Sequence, residues 1–310
     1  MKRFLQKVAL YVLILFVLSL GGSALFFACI APQYRYNYNA SVVEKMERLE
    51  SLDSPKIILV GNSNLAFGID SAKIQQEMGM PVVNLGLHGG MSNAFHENMA
   101  KGNIGEGDIV VVCHTTYSDN GKIDDYPLAW LTVENHLEYL RLLPAADYWD
   151  MLCAYPNYVW ESVKLWATNS GNTPPKPPYS RLCFNEYGDV ATPRNENKMV
   201  FRKGTVTVPN INDNCTERLN AFWQYCRERG ADMVVAGYPI ASGEFTPPQE
   251  DYVAFQKRLD DKLDCDIISD FTDYFIDYRY FYDTKYHLTD EGVAIRTEQL
   301  ITDLKRWQQA

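Results

Sequence analysis

Five short apolar runs follow position 55 and constrain the fold more than any other feature of the sequence. They read KIILVG (56–61), PVVNLGL (81–87), DIVVVCHT (108–115), DMVVAGYP (232–239) and DCDIISD (264–270). Helical patterns separate several of the runs, at about 70–79, 92–102, 213–229 and 249–263, and an amphipathic helical pattern follows at 289–307. Short apolar strands that alternate with helices are typical of parallel sheets buried on both faces. The sequence therefore predicts an α/β sandwich over 55–310, with a central parallel sheet of about five strands.

A long insertion, at about 117–210, separates the third and fourth runs. Its first half is rich in Trp, Tyr and Leu and is predicted to be helical. Its second half is rich in Pro, Gly and Asn and is predicted to be irregular with short strands. An insertion beside the carboxyl ends of parallel strands is well placed to shape a substrate cleft. A passive cap over the core is the alternative use of any residue in it.

The N-terminal segment predicts the compartment. Residues 8–30 carry no charge and are long enough to cross a bilayer at about 1.5 Å per residue. Lys2, Arg3 and Lys7 precede them, which by the positive-inside rule keeps the N-terminus cytoplasmic. We therefore expect a single-pass anchor at 1–30, a polar juxtamembrane connector at 31–54 that lifts the domain off the membrane, and an extracytoplasmic main domain. A cleaved signal peptide is the alternative, but the apolar stretch exceeds its usual length.

Charge and cysteine spacing exclude several classes of function. The net charge of −10 disfavours nucleic acid as a partner, since an acidic surface repels phosphate. None of the seven cysteines is in CxxC spacing, so a zinc site is not expected, and one or two disulfides among them stay open. The sequence also contains neither a P-loop nor a GxGxxG motif. We expect no metal or nucleotide cofactor.

Ser63 is a candidate nucleophile at the edge of the predicted sheet where ligands bind. It follows the first apolar run, and the small residues Gly61 and Asn62 leave its hydroxyl accessible. A helix N-cap is the ordinary alternative for such a serine. A serine nucleophile needs a base, and His287 lies just before the last helical pattern with Asp283 four residues earlier. An aspartate there can bond the imidazole Nδ1–H and fix its tautomer, whereas a surface-loop histidine is the alternative.

Glycines follow the second apolar run, in the segment VVNLGLHGG (82–90). They relax the backbone, so that an N–H group of this segment can point at a developing oxyanion, although glycines also serve ordinary turns. Together with Ser63 and His287, they form three signals at one edge of the predicted sheet.

These three segments resemble the conserved blocks of the SGNH (GDSL-type) hydrolases. GNSN (61–64) resembles the first block, with Ser63 at the nucleophile and Asn62 in place of the usual Asp. NLGLHG (84–89) resembles the second, with Gly86 as the oxyanion glycine, and DTKYHLTDEG (283–292) resembles the last, with His287 as the base and Asp283 as its acid. The resemblance implies a flavodoxin-like three-layer fold over most of 55–307, and esterase or O-acetyl-transfer activity. Within this family, the chain is similar to membrane-anchored members that act on the cell envelope or on exopolysaccharide.

The chain departs from the family pattern at two places. The family acid usually stands three residues before the histidine, where this chain has Thr284, so Asp283 needs one more residue of loop. The Gly-x-Asn-Asp block, whose Asn donates to the oxyanion, is absent after the third run, which continues as VVVCHTTYSDN (110–120). The side chains of His114, Thr115, Thr116 or Asn64 are the candidate replacements.

The resemblance implies a serine esterase or O-acyltransferase acting on ester-linked acyl groups, acetyl foremost, of an envelope glycan or polysaccharide. Its partners would be that acylated glycan, the membrane and, for a transferase, a membrane protein that donates the acyl group. The alternative is a catalytically inactive SGNH-like module that binds a glycan or an envelope partner. The missing Asn block and the shifted acid favour that alternative.

Overall fold

A four-stranded parallel sheet forms the centre of the computed structural model, which describes all 310 residues. Its strands are β1 (Ile57–Val60), β2 (Val82–Asn84), β3 (Ile109–Val112) and β4 (Asp232–Val235), in the order β2-β1-β3-β4. All three pairings are parallel, and nearly every strand residue is buried. The predicted α/β class with a parallel sheet is confirmed.

The fifth predicted strand, 264–270, is reduced to a single parallel bridge between Ile267 and Val235. In this bridge the N–H of Val235 donates to the carbonyl of Asp266 and the N–H of Ile268 donates to the carbonyl of Val235, each at 2.9 Å. A separate two-stranded parallel sheet joins β5 (Ile240–Ser242) to β6 (Phe275–Asp277), which the sequence did not indicate.

Helices cover both faces of the sheet. They are α2 (Val42–Ser51), α3 (Ser63–Ala66), α4 (Ser71–Met78), α5 (Asn93–Ala100), α8 (Asp213–Arg227), α9 (Gln249–Asp260) and α10 (Asp290–Gln308), and the insertion contributes two more, α6 (Tyr126–Val133) and α7 (Tyr148–Ala167). On one face, side chains of α4 and α10 such as Ile74 and Leu300 pack on Leu59 and Val111. On the other, side chains of α2, α5 and α8 pack on the alternate strand residues, such as Ile58 and Val110. The period-2 alternation of each strand therefore supplies two cores.

The N-terminal helix α1 (Lys2–Cys29) is long and apolar enough to cross a membrane, and almost all of it is exposed. Only Phe26, near its end, is buried against the rest of the protein. The expected connector 31–54 is not a spacer. Residues 38–41 form a buried 3₁₀ turn, and α2 places Met46 and Leu49 in the main core, so this segment belongs to the domain.

The insertion is helical in its first half, as predicted, with α6 (Tyr126–Val133) and α7 (Tyr148–Ala167). Its second half contains 3₁₀ turns but no strand. The expected short strands are present only as isolated bridges, one of which pairs Asn37 with Ser180. The prolines of this half remove the backbone donors that a longer ladder needs. All seven cysteines are free thiols.

Candidate active site

Ser63 is the first residue of α3, a single helical turn at the carboxyl end of β1. Asn62 caps this turn. Its Oδ1 accepts two hydrogen bonds from Asn64, one from the backbone N–H at 3.0 Å and one from the side-chain Nδ2 at 2.8 Å. Gly61 makes the turn possible, since a Cβ at this position would lie 2.8 Å from the carbonyl oxygen of Cys113. The backbone thus holds Ser63 at the sheet edge, as the strand pattern predicted.

The structure brings the three predicted triad residues together. Ser63 Oγ lies 2.9 Å from His287 Nε2, and His287 Nδ1 lies 2.9 Å from Asp283 Oδ1. This is the geometry in which a carboxylate orients an imidazole and the imidazole accepts the serine proton.

Thr284 explains how Asp283 reaches the imidazole from four residues away. Its Oγ1 accepts hydrogen bonds from the N–H of Tyr286 at 3.2 Å and from the N–H of His287 at 3.0 Å. The hydroxyl therefore closes a tight turn before His287. Thr284 thus supports the loop, and the preceding residue, Asp283, supplies the carboxylate.

The imidazole of His287 lies in a largely dry setting. Its ring stacks on Phe67 with the centroids 4.0 Å apart and the planes within 6°. Burial lowers the pKa of His287 below its ordinary value, although the hydrogen bond and charge of Asp283 oppose the shift. A neutral imidazole at neutral pH can accept the proton of Ser63.

Tyr179, in the insertion, adds a fourth member to this hydrogen-bonded chain. Its hydroxyl donates to Asp283 Oδ2 at 2.6 Å and lies 3.3 Å from His287 Nδ1. Burial would raise the pKa of Asp283, but the bonds from His287 and Tyr179 outweigh it and hold that pKa below its ordinary value. Burial and the same bond raise the pKa of Tyr179, which therefore stays a donor. Sequence reasoning missed this residue, since a lone tyrosine in a proline-rich stretch carries no periodic signal.

Asn64 is not available as an oxyanion donor, contrary to one of the sequence-based options. Its Nδ2 donates to Asn62 Oδ1 and, at 2.9 Å, to the carbonyl of Cys113, which uses both of its protons. Its own oxygens accept from the buried guanidinium of Arg296, at 2.6 Å to the carbonyl and 2.7 Å to Oδ1. Asn64 thus holds α3, the turn that carries Ser63 (the nucleophile turn), against α10.

Gly86 has a packing role that conflicts with the expected oxyanion role. Its N–H donates to Asn84 Oδ1 at 2.9 Å, so this group is already engaged. A Cβ here would lie 2.7 Å from the backbone nitrogen of Ala66 and 2.9 Å from the carbonyl oxygen of Asn62. The glycine is needed because the chain after β2 passes directly against α3.

His114 and Thr115 differ in their hydrogen-bond partners. His114 is fully buried with Nε2 3.1 Å from Glu97 Oε1, so this ring nitrogen is already engaged. Thr115 Oγ1 accepts a 2.7 Å hydrogen bond from Asn62 Nδ2 and so orients the amide beside Ser63. The backbone of Gly89 borders this same amide, since a Cβ at Gly89 would lie 3.6 Å from Asn62 Nδ2. The side-chain amide of Asn62 and the backbone of Gly89 therefore lie next to each other, whereas the N–H of Gly86 and Nε2 of His114 are already engaged.

Comparisons with protein-family models, with curated proteins and with solved structures found no match for this chain.

Proposed function

We propose that this protein is a serine-dependent esterase or O-acyltransferase of the SGNH type. The observation that carries the proposal is the continuous set of hydrogen bonds from Ser63 through His287 to Asp283, at 2.9 Å in each step. A hydroxyl, a buried neutral imidazole and an ionised carboxylate in this order are the requirements for acyl transfer through a serine. The strand order β2-β1-β3-β4, with Ile267 bridged beside β4, supports a flavodoxin-like sheet.

The reaction proceeds in two halves. Ser63 Oγ attacks the carbonyl carbon of the ester while His287 Nε2 takes its proton, and Asp283 stabilises the imidazolium. Collapse of the tetrahedral intermediate breaks the bond to the alcohol oxygen, and His287 returns the proton to the departing alcohol. The acyl group then sits on Ser63. Water or a sugar hydroxyl, deprotonated by His287, attacks the carbonyl carbon of that acyl-serine. The bond from this carbon to Ser63 Oγ breaks, His287 returns the proton to Oγ, and the free acid or the acylated sugar leaves.

The oxyanion of both intermediates requires donors other than Gly86 and Asn64. We assign the N–H of Ser63, which as the first residue of α3 has no intrahelical acceptor, and the free proton of Asn62 Nδ2. The N–H of Gly89, at the start of a 3₁₀ turn beside that amide, is the third. The Asn62 amide then takes the place of the missing family Asn, at the residue where the family has Asp.

The substrate class follows from the family resemblance and the anchor. We propose an acetylated glycan or polysaccharide of the cell envelope, reached by an extracytoplasmic domain on a single-pass anchor. A sugar hydroxyl as acceptor gives a transferase, for which a membrane protein would supply the acyl group, and water gives an esterase.

Labelling of the full-length chain with a fluorophosphonate tests the proposal. The probe phosphonylates an activated serine with loss of fluoride, so we expect stoichiometric labelling of the wild type and none of Ser63→Ala or His287→Ala. Ser118→Ala, at an exposed serine outside the triad, is the matched control and should label fully. Hydrolysis of aryl acetates should follow the same order. An unlabelled wild type, with equal activity in Ser63→Ala, would leave the inactive binding module as the function.

A further inference from the structure

We propose that α7 lies in the headgroup region of the bilayer that α1 crosses, so that the protein contacts the membrane through both helices. The proposal rests on α1 being a membrane anchor and is independent of the chemistry at Ser63. The partner is the phospholipid surface itself. Three observations point to it.

The exposed side of α7 is apolar and aromatic. Trp149, Leu152 and Trp160 are 71%, 59% and 60% exposed, and their spacing places them on one face of the helix. Between the two tryptophans, that face also presents Cys153 and Pro156, and the charged side chains of Asp150 and Lys164 lie at its margin. Tyr148 and Trp166 extend the exposed aromatic surface at the two ends of the helix. A patch of this kind marks an interaction site on a soluble domain.

The other side of α7 receives the end of the anchor. Phe26 of α1 contacts Tyr158 and Tyr155 in edge-to-face geometry, with ring centroids 5.5 and 6.3 Å apart. Phe27 stacks on Tyr155 at 6.3 Å. Because α7 holds the residues at which α1 ends, it lies at the level where the chain leaves the bilayer.

The segment after the anchor leaves no spacer between domain and membrane. Tyr34 donates its N–H to Glu134 after only a few residues, and the carbonyl of Tyr36 accepts from the N–H of Arg181 at 3.0 Å. At no more than about 3.5 Å per residue, this short chain keeps the domain surface close to the bilayer. Indole rings favour the headgroup region because one part is apolar and the N–H is polar. The tryptophans of α7 therefore have the chemistry and the position for lipid contact.

Tryptophan quenching by brominated phosphatidylcholine locates α7 directly. The chain has six tryptophans, none of them in α1, so the anchor itself contributes no signal. The full-length protein is reconstituted alone in vesicles whose lipids carry bromine near the headgroup or deep in the acyl chain. We expect shallow bromine to quench more than deep bromine, and Trp149→Phe with Trp160→Phe to remove about half of that quenching or more. The paired control Trp223→Phe with Trp307→Phe, on α8 and α10, should leave the lipid-dependent quenching unchanged.

The outcomes separate this proposal from the others. Vesicle flotation shows first that the chain is anchored, and its failure would overturn the anchor on which the proposal rests. Protein that floats but shows no quenching by shallow bromine, or equal quenching in both double variants, would overturn the contact between α7 and lipid. Either result would place α7 in water or against a protein. Ser63→Ala should be quenched like the wild type, so loss of catalysis does not affect the result.

Discussion

The hydroxyl of Tyr179 donates a 2.6 Å hydrogen bond to Asp283, which lies 104 residues later in the sequence. This contact ties the insertion to the loop that carries the base. The tyrosine is itself packed on Phe67 and on Tyr38, with ring centroids 5.6 and 6.2 Å apart, so a residue of the segment that follows α1 supports it. Asp283 is thus fixed from two sides, by His287 at one oxygen and by Tyr179 at the other.

Tyr179→Phe removes this hydroxyl and keeps the ring. We expect kcat/KM for an aryl acetate to fall about tenfold, because a hydrogen bond to a charged group is worth about 1.5–3 kcal/mol and only a fraction of it orients the carboxylate. The carboxylate also becomes more basic, which favours the imidazolium, so the acid limb of the pH profile should move to higher pH.

Tyr282→Phe is the control for that variant, since its hydroxyl lies in the same loop but contacts Lys198 Nζ at 3.2 Å. It should leave both the rate and the acid limb unchanged. A Tyr179→Phe enzyme with wild-type kcat/KM and an unshifted profile would show that the tyrosine only packs.

Asp283→Asn tests which residue is the acid. The amide favours the wrong tautomer of His287, so we expect kcat to fall by about 10³–10⁴ with the fold intact by circular dichroism. Thr284→Ser keeps the oxygen that closes the turn and should retain activity within about threefold, whereas Thr284→Val frees two N–H groups and costs about 1 kcal/mol of stability. Equal decreases in kcat for Asp283→Asn and Thr284→Val would contradict the assignment of Asp283 as the acid.

The pH dependence follows from the lowered pKa of His287. Its neutral form is the active one, so kcat/KM should be constant at neutral pH and fall as pH drops through that pKa, below the ordinary histidine value of about 6.5. Asp283, whose pKa is also lowered, stays ionised throughout this range. An acid limb centred above the ordinary value would contradict the burial of this imidazole.

Asn62→Asp separates the cap from the oxyanion donor. The carboxylate still accepts from the N–H of Asn64, so the thermal midpoint should change little. The donor from Nδ2 is lost, and we expect kcat to fall by about 10²–10³ without a matching change in KM. Full activity in this variant would assign the oxyanion to backbone groups alone.

Gly86→Ala and Gly89→Ala form a matched pair. The methyl group at Gly86 would meet three atoms of the nucleophile turn and of Asn84 within 2.9 Å, so we expect a loss of about 3 kcal/mol in the free energy of unfolding. At Gly89 the nearest atom is 3.6 Å away, and stability should be unchanged. Denaturant titration of both variants measures the difference. Equal stabilities would contradict the close approach after β2.

Local patterns predicted the parts of this molecule that are locally specified. The apolar runs became β1 to β4, and Ser63, His287 and Asp283 lie at strand and helix ends that the pattern placed at one edge. The sequence suggests oxyanion-donor roles for Asn64 and Gly86 because it does not show which N–H groups are already engaged. The spacing of Val42, Val43, Met46 and Leu49 is the apolar stripe of a buried helix, and it indicates packing where a spacer was expected. Tyr179 depends on a long-range contact that no neighbouring residue encodes.

Ser63 and His287 are separated by 224 residues, so the two residues are synthesised at different times. A nascent chain that ends between residues 63 and 286 contains the serine but not His287, whatever else has folded. Partial unfolding should have a similar effect, because Arg296 of α10 holds the Ser63 turn through Asn64, and His287 lies directly before this helix. The proposed reactivity of Ser63 therefore requires the finished fold.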